Sequence, residues 1–222
     1  MTSILAFHGS ARRGANSSLL LAEVLDAARE GGAEVAEFHA HRLDLRPCRG
    51  CLRCNSIMRC SQTGDAWDEL GGRIEAADVL AFASPVFFHH LTAPLKMLLE
   101  RFRCFFHVQI TETGLIHTPW REWRKRWVLV QSHGSPDEAD AGPVRDLFAE
   151  LAGFMGPDNR LDVLLGNRLA VPRQVLMDAD QLRKLYGLLG IPKHLAESDH
   201  ARNRELLAAC RALGRDLARG TA

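Results

Sequence analysis

The chain has 222 residues, of which 46% are hydrophobic and 25% are charged, and its formal net charge is +1. This length and apolar content suit one well-cored domain over residues 1–222, with some length left for a loop insertion. A near-neutral charge gives no reason to expect nucleic acid or a charged membrane as a partner. There is no run of about 18 apolar residues and no basic region before the short apolar start, so we expect a cytoplasmic protein.

Short apolar runs alternate with segments of helical period along the chain. Strands are predicted over 4–7, 35–38, 79–83, 127–131 and 161–165, and helices over 16–30, 64–76, 93–105, 143–155 and 200–218. This alternation indicates right-handed βαβ units and a parallel sheet covered by helices on both faces. We therefore predict an α/β, flavodoxin-like, doubly wound sheet of five parallel strands in the order 2-1-3-4-5.

Two segments do not fit the regular alternation. Residues 48–60 are rich in cysteine and form a predicted loop after strand 2. Residues 166–199 contain Pro172, Pro192 and one possible helix over 180–189. We interpret 166–199 as a C-terminal insertion before the last helix, which reaches over the active site or onto a partner subunit.

The first predicted strand runs directly into a loop of small and hydroxyl residues, HGSARRGANS over 8–17, and then into a helix. Such a strand–loop–helix presents unpaired backbone N–H groups at a helix N-terminus, where a phosphate can bind. Ser10, Asn16 and Ser17 can donate hydrogen bonds, and Arg12 adds positive charge. The loop matches neither GxGxxG nor a Walker sequence. Taken alone, it fits a phosphate site and an ordinary βα turn capped by Asn16 equally well.

Two further predicted strands end in loops that suit a flat ring. The third strand ends in SPVFFHH over 84–90, and the fourth ends in SHGSP over 132–136. In a doubly wound sheet, ligands bind beyond the carboxyl ends of the strands at the switch point, which the first strand borders. An apolar and aromatic loop can pack against a ring while its backbone polar groups meet the ring edge. Three suitable loops at three strand ends favour a ligand site over an ordinary turn.

The strongest chemical signal is Cys48-x2-Cys51-x2-Cys54-x5-Cys60. Soft thiolates select iron–sulfur clusters, zinc or Cu(I). The spacing differs from the bacterial ferredoxin run, and structural zinc usually takes two cysteine pairs separated by a longer spacer. The residues alone leave open an iron–sulfur cluster, a zinc ion, and thiols or a disulfide without metal. We interpret the two remaining cysteines, Cys104 and Cys210, as buried core thiols.

Four stretches together, 9–17, 46–60, 84–96 and more weakly 132–136, resemble the NADPH-dependent FMN reductase and iron–sulfur flavoprotein family of the flavodoxin-like fold. The resemblance implies that the phosphate of FMN is bound at Ser10, Arg12, Asn16 and Ser17. It implies that the isoalloxazine contacts Pro85, Val86, Phe87 and Phe88. Ser84, and with weaker support Ser132 and Gly134, are further predicted cofactor-binding residues. It also implies a [4Fe–4S] cluster on Cys48, Cys51, Cys54 and Cys60.

The sequence departs from the family pattern at two positions of these loops. Ala11 stands where the family usually has Pro, and Phe87 stands where it often has Tyr. We expect Ala11 to be harmless. Phe87 removes a hydroxyl that could hydrogen-bond to the flavin or tune it.

We predict a flavin-dependent oxidoreductase that passes electrons between FMN and a [4Fe–4S] cluster, with NAD(P)H as a candidate donor and no dedicated catalytic acid or base. One alternative is an NAD(P)H-dependent FMN or quinone reductase with structural cysteines. Another is a zinc-binding regulatory module on a flavodoxin-like shell. We expect a small redox donor or electron-carrier protein as partner and a homodimer or tetramer as the assembly. The sequence identifies neither the physiological donor and acceptor nor a role for His89 and His90.

Four arginines lie within two residues of a predicted cluster ligand, at positions 46, 49, 53 and 59. Because a four-thiolate cluster is anionic and gains a further negative charge on reduction, nearby cations favour its reduced form. We expect these arginines to raise the cluster's potential, with at least two of them largely screened by water.

Overall fold

The structure is a computed structural model that describes residues 1–220. Its strands, in chain order, are β1 (Ser3–His8), β2 (Glu34–His39), β3 (Val79–Pro85), β4 (Phe106–Ile110), β5 (Leu115–Pro119), β6 (Arg126–Ser132) and β7 (Arg160–Gly166). Five of them form one parallel sheet in the order β2-β1-β3-β6-β7. Counted among the parallel strands alone, this is the predicted order 2-1-3-4-5, which is confirmed.

The helices are α1 (Asn16–Glu30), α2 (Cys54–Ile57), α3 (Trp67–Ala76), α4 (Ala93–Arg101), α5 (Gly142–Phe154), α6 (Ala179–Leu189) and α7 (Ala196–Ala218). The helix predicted over 93–105 is shorter than expected, because the chain tightens into a 3₁₀ turn over Phe102–Phe105 after α4. Within residues 1–220, no helix combines the length and apolar character that crossing a membrane requires.

The two faces of the sheet bury different side chains. The central strands β3 and β6 are buried along most of their length, as expected for a parallel sheet covered on both faces. One face is aromatic: the ring of Phe82 lies 5.4 Å from that of Phe7 and 5.9 Å from that of Trp127. The other face is aliphatic and packs beneath α1 and α7. A rigid sheet therefore fixes the loops at its carboxyl edge.

Strands β4 and β5 form an antiparallel hairpin that the sequence analysis did not predict. Its turn is closed by a hydrogen bond of 2.9 Å from the N–H of Thr111 to the carbonyl of Gly114. The hairpin is fastened to the cysteine loop by Asn55, whose amide donates to the carbonyl of Val108 at 2.9 Å and accepts from its N–H at 3.2 Å. The cysteine loop and the hairpin thus form one surface.

The segment over 166–199 contains the predicted helix as α6, which begins with a capping box between Asp178 and Gln181. The part before α6 folds back onto the start of α1. There the N–H of Arg173 donates to the carbonyl of Gly14 at 2.8 Å. This segment therefore contacts the predicted phosphate loop of its own chain. The interpretation of the chain as a single domain stays a prediction.

Candidate functional site

The predicted phosphate loop connects β1 to α1 at the carboxyl edge of the sheet. Helix α1 begins at Asn16, and its N-cap residue Ala15 supplies no side-chain cap. The hydroxyl of Ser17 is buried and has no hydrogen-bond partner in the structure. Ser10 is also buried, and its hydroxyl accepts a hydrogen bond of 3.2 Å from the N–H of Arg12. An uncapped helix N-terminus with a buried, unpartnered hydroxyl is a site that suits an anion.

The side chain of Asn16 is fully engaged with the segment before α6. Its amide donates to the carbonyls of Val171 at 2.8 Å and Leu169 at 3.4 Å, and its oxygen accepts from the N–H of Val175 at 3.1 Å. Arg12 contacts the same segment through a hydrogen bond of 2.8 Å to the carbonyl of Ala170. In this arrangement Asn16 shapes the loop, and its backbone N–H is the group left to meet a phosphate.

The phosphate loop packs tightly against the start of α4. A Cβ on Gly9 would lie 2.9 Å from both Leu95 Cδ2 and Thr92 Oγ1, so a larger residue does not fit. The hydroxyl of Thr92 donates to the carbonyl of Gly9 at 2.8 Å, and the N–H of Thr92 donates to the hydroxyl of Ser84 at 3.3 Å. Thr92 therefore joins the phosphate loop to the loop after β3.

The loop after β3 presents aromatic side chains on a strained turn. Phe87 and His90 exchange backbone hydrogen bonds of 2.9 and 3.0 Å, and the two residues between them have positive φ, +50° at Phe88 and +60° at His89. Two bulky residues in the left-handed region cost about 1–2 kcal/mol each. The turn leaves Phe88 fully exposed and Phe87 half exposed. Such strain is typical of segments that bind ligands.

The neighbouring histidines have local partners. The ring Nδ1 of His90 accepts a hydrogen bond of 2.9 Å from the N–H of Leu91, which makes it a local cap. His89 lies 3.5 Å from Asp140, on the loop after β6. The loops that follow β3 and β6 therefore meet at the edge of the sheet.

The loop after β6 contains Ser132, which is buried, and Gly134, which is exposed. Between them His133 is buried, and neither of its ring nitrogens has a hydrogen-bond partner in the structure. Burial lowers the pKa of His133, so its neutral form is favoured. The backbone of Val86 donates to the carbonyl of Ser132 at 2.9 Å, which connects this loop to the loop after β3.

A cavity of about 460 Å³ adjoins the phosphate loop next to the end of β2. Five basic side chains and no carboxylate line it, namely Arg12, Arg13, His39, His41 and Arg42. The pKa of His39 is lowered by burial and by the positive charges around it. The surroundings of the loop are therefore positive, which favours a bound phosphate.

The four predicted cluster ligands line a single cavity of about 140 Å³. All four are free thiols, and they range from exposed Cys51 to buried Cys54. Within residues 1–220, no three His, Cys, Asp or Glu side chains stand close enough to hold one metal ion. Cys104 is buried as predicted, yet it also lines this cavity.

Both ends of the cysteine loop are fastened by a buried ion pair. Arg101 lies at the end of α4, and its guanidinium donates to Asp65 at 2.6 Å and to the carbonyl of Arg46 at 2.8 Å. The side chains of Arg101 and Asp65 are 0% and 1% exposed. A further donation reaches the carbonyl of Gln62 at 3.4 Å. Residues 46 and 62–65 flank the cysteines, so Arg101 fixes the loop from behind.

The thiols of the loop differ in electrostatic environment. A hydrogen bond with Ser61, 3.4 Å away, and backbone N–H groups lower the pKa of Cys51. Burial raises the pKa of Cys54, while the charge of Arg103 opposes that rise. Burial and the neighbouring thiols raise the pKa of Cys104 to about 12. Cys51 is therefore the more readily ionised thiol and Cys104 is held protonated.

Comparison with known protein families shows which family this chain belongs to. Residues 2–158 match the sequence profile of the family described as NADPH-dependent FMN reductase. The chain belongs to this family. The match includes all three strand-end loops and the cysteine loop, so the resemblance drawn from the motifs is confirmed at the level of family.

Some curated relatives of the chain have names that refer to an iron–sulfur centre. The chain is 35% identical over 100 residues to an iron-sulfur flavoprotein from Methanocaldococcus jannaschii, and the aligned region covers 45% of this chain and 51% of that protein. It is 31% identical over 98 residues to an iron-sulfur flavoprotein from Methanosarcina thermophila, 44% of this chain and 51% of that protein. The chain thus spans about half the length of these curated relatives.

Solved structures share the fold over nearly the whole chain. An NAD(P)H:quinone oxidoreductase from Methanothermobacter marburgensis superposes with a TM-score of 0.63 at 18% identity, covering 97% of this chain and 98% of that chain. An azoreductase from Bacillus anthracis gives 0.60 at 17% identity and covers all of both chains. At these identities the likeness confirms the flavodoxin-like fold.

The structure brings the predicted residues into two groups. The loops over 9–17, 84–88 and 132–134 lie at the carboxyl ends of β1, β3 and β6, and the four cysteines lie around a separate cavity. The sequence singles out neither Thr92 nor Arg101 and Arg103, and it does not indicate which residues of the segment 166–199 contact the phosphate loop, namely 169–175. Each is joined to its group by contacts across many residues of sequence, and no local pattern marks it.

Proposed function

We propose that this protein is an FMN-dependent oxidoreductase that passes electrons between FMN and a [4Fe–4S] cluster. The observation that supports it most directly is that all four cysteines of the motif line one cavity in a chain of the NADPH-dependent FMN reductase family. Bound FMN would supply chemistry in which electrons are taken up in pairs and released singly. The relatives named iron-sulfur flavoprotein support the same assignment.

The residues of the phosphate loop fit FMN. The uncapped start of α1 and the unpartnered Ser17 hydroxyl would meet the phosphate, and Arg12 would add charge. Pro85 to Phe88 and the loop Ser132–Gly134 would contact the ring from two sides. In this proposal the side chains and backbone of the three loops bind the flavin and orient it.

The residues of the cysteine cavity fit a cluster better than a single ion. Zinc requires four ligand atoms about 2.0–2.3 Å from one centre, whereas an iron–sulfur cluster holds its thiolates further apart around several irons. In addition, the buried Nε–H of Arg101 has no acceptor in the structure. A sulfur atom in the cavity would accept from it.

FMN binding is tested by removing the charge beside the phosphate. Charge-assisted hydrogen bonds contribute about 1.5–3 kcal/mol each, so Arg12→Ala should weaken FMN about ten- to a hundredfold. Arg73→Ala is the control, since it removes the same charge from α3, outside the three strand-end loops. Riboflavin lacks the phosphate and should bind poorly to the wild type. Equal affinity of the wild type for riboflavin and FMN in a flavin-fluorescence titration would contradict phosphate recognition.

The cluster is tested at Cys60, the ligand furthest along the chain from the other three. Cys60→Ser should lose most iron while it keeps FMN near one per chain, because the flavin loops lie outside 48–60. Cys210→Ser is the control, since Cys210 is a fully buried thiol of α7 outside the cavity. A Cys60→Ser protein with full iron would show that Cys60 is not a ligand.

The second candidate is an NAD(P)H-dependent FMN or quinone reductase with structural cysteines, and the description of the matched family favours it. The same Cys60→Ser variant separates the two. Electron delivery to a one-electron acceptor should fall sharply if the cluster transmits electrons. If iron is lost and that rate is unchanged, the protein is better described as an FMN reductase.

A further inference from the structure

Arg103 lies directly against one of the four cysteines. It follows α4 in the 3₁₀ turn, and its Nη1 lies 3.5 Å from Cys54 Sγ. Nη1 also donates to the carbonyl of Phe106 at 2.9 Å, and Nη2 donates to the side-chain oxygen of Asn55 at 2.8 Å. One guanidinium therefore joins a predicted cluster ligand, the residue after it, and the start of the hairpin. These contacts fix the direction of the Nη1–H group that points to the sulfur of Cys54.

Arg101, on the same turn of chain, provides a second donor. Its Nη atoms are occupied by Asp65 and backbone carbonyls, whereas its Nε–H is buried without an acceptor. Cys60 lines the same cavity as this guanidinium. Both arginines line the cavity of the four cysteines. Two adjacent ligands of the predicted cluster, Cys54 and Cys60, thus each have an arginine from outside the cysteine loop.

The four arginines within the loop are placed differently. Arg46, Arg49, Arg53 and Arg59 are all exposed. Interactions of exposed charges are screened by water and salt, whereas a half-buried guanidinium in contact with sulfur is screened much less. The structure therefore assigns the expected electrostatic effect to Arg101, at the end of α4, and to Arg103, just after it, rather than to the arginines beside the cysteines in sequence.

We propose that Arg103, supported by Arg101, is a positioning residue that orients Cys54 and stabilises the reduced form of the cluster. The inference rests on the proposed function, because it requires the cluster. Reduction adds one electron to a centre that four thiolates already make anionic. A directed N–H···S hydrogen bond from a cation is stronger to the more negative form, and hydrogen bonds to the sulfurs are among the features that set cluster potentials. Arg103 should therefore raise the midpoint potential.

The test is a redox titration of the anaerobically purified holoprotein, with dithionite as the electron donor and the signal of the reduced cluster as the readout. Arg103→Gln removes the cation, and at a fixed applied potential the ratio of reduced to oxidised cluster should fall about tenfold, a midpoint shift of about −59 mV for one electron. Arg103→Lys keeps the charge but cannot reach Cys54, Asn55 and Phe106 together. It should give an intermediate shift.

Arg53→Gln is the matched control, because it removes the same charge from an exposed side chain next to Cys54 in sequence. It should change the ratio by less than threefold. If Arg103→Gln does not retain iron, Arg103→Lys decides: a lowered potential supports the proposal and a wild-type potential overturns it.

The remaining outcomes separate this inference from the function beneath it. A wild-type protein with no iron and sulfide overturns the proposed cluster and this inference with it. A wild-type cluster whose potential is unchanged in Arg103→Gln overturns this inference alone. Equal shifts in Arg103→Gln and Arg53→Gln also overturn it, because they would indicate net charge and not a directed contact.

Discussion

Replacement of Arg101 by Met should loosen the cysteine loop at both ends. The side chain is fully buried, and its loss would leave the carboxylate of Asp65 without its buried cation and the carbonyls of Arg46 and Gln62 without this donor. Removing one partner of a buried ion pair costs about 3–5 kcal/mol. For a chain of this size, about 2 °C of melting temperature is lost per kcal/mol, so the expected decrease is about 6–10 °C.

The same substitution at Arg73 provides the control. Arg73 pairs with Glu69 on the exposed face of α3 at 2.9 Å, and such surface pairs contribute about 0–1 kcal/mol. Both variants are compared with the wild type by urea and thermal unfolding followed by circular dichroism. A destabilisation in Arg101→Met that matches Arg73→Met would refute the claim that the buried pair fastens the loop.

The pH dependence gives a second check on the same pair. The pKa of Asp65 is lowered in the folded protein, since the donors around it outweigh its burial. A carboxyl with a lowered pKa contributes stability above its unfolded pKa, and the contribution is lost as pH falls through the folded pKa. The difference in unfolding free energy between wild type and Arg101→Met should therefore shrink below about pH 4. A difference that grows towards acid pH would contradict this assignment.

Two further variants test the packing of the fold. A Cβ on Gly214 would lie 2.1 Å from the carbonyl oxygen of Val24, so Gly214→Ala should push α7 away from α1 and lower the free energy of unfolding by about 1–3 kcal/mol or more. Gly72 lies on α3 with open space around it, so Gly72→Ala should raise the free energy of unfolding by about 0.5–1 kcal/mol. Both values are measured by urea unfolding. Similar effects of both would contradict the helix contact. Burial lowers the pKa of Lys125 to about 8 in the folded protein. Above that pH the unfolded chain therefore binds more protons than the folded one, and stability rises with pH. The free energy of unfolding of the wild type should increase relative to that of Lys125→Met as the pH rises from 8 to 10. A constant difference across that range would show that Lys125 titrates normally.

The sheet was predictable because its central strands, β3 and β6, are buried on both faces. Residues 79–83 and 127–131 are mostly apolar runs, and the helices have a clear helical period. The hydrophobic pattern therefore predicts the type of each element and the sequence in which strands and helices alternate. The hairpin of β4 and β5 was missed because its strands have only five residues each and show no alternation of buried and exposed positions. Their position depends on Asn55, which contacts Val108 across 53 residues of sequence.

The candidate site was predictable where its residues are close together in sequence, and it was not predictable where its residues meet only through the tertiary fold. The loop over 9–17 and the four cysteines stand out because the chemistry lies in consecutive residues. Arg103 and Thr92 have no such signal, since each acts through a partner more than 40 residues away. Asn16 is the converse case. An asparagine at this position could donate to a phosphate, yet its side chain is hydrogen-bonded to residues 169–175, which no local pattern connects to it.

The measurement that tests the central proposal most directly is the analysis of anaerobically purified wild-type protein for flavin, iron, sulfide and zinc, together with its visible spectrum. We expect one FMN and about four irons and four sulfides per chain, with flavin bands above a broad cluster absorption. Flavin bands without iron and sulfide would contradict the cluster and indicate an FMN reductase with structural cysteines. A colourless protein that contains zinc would contradict both cofactors.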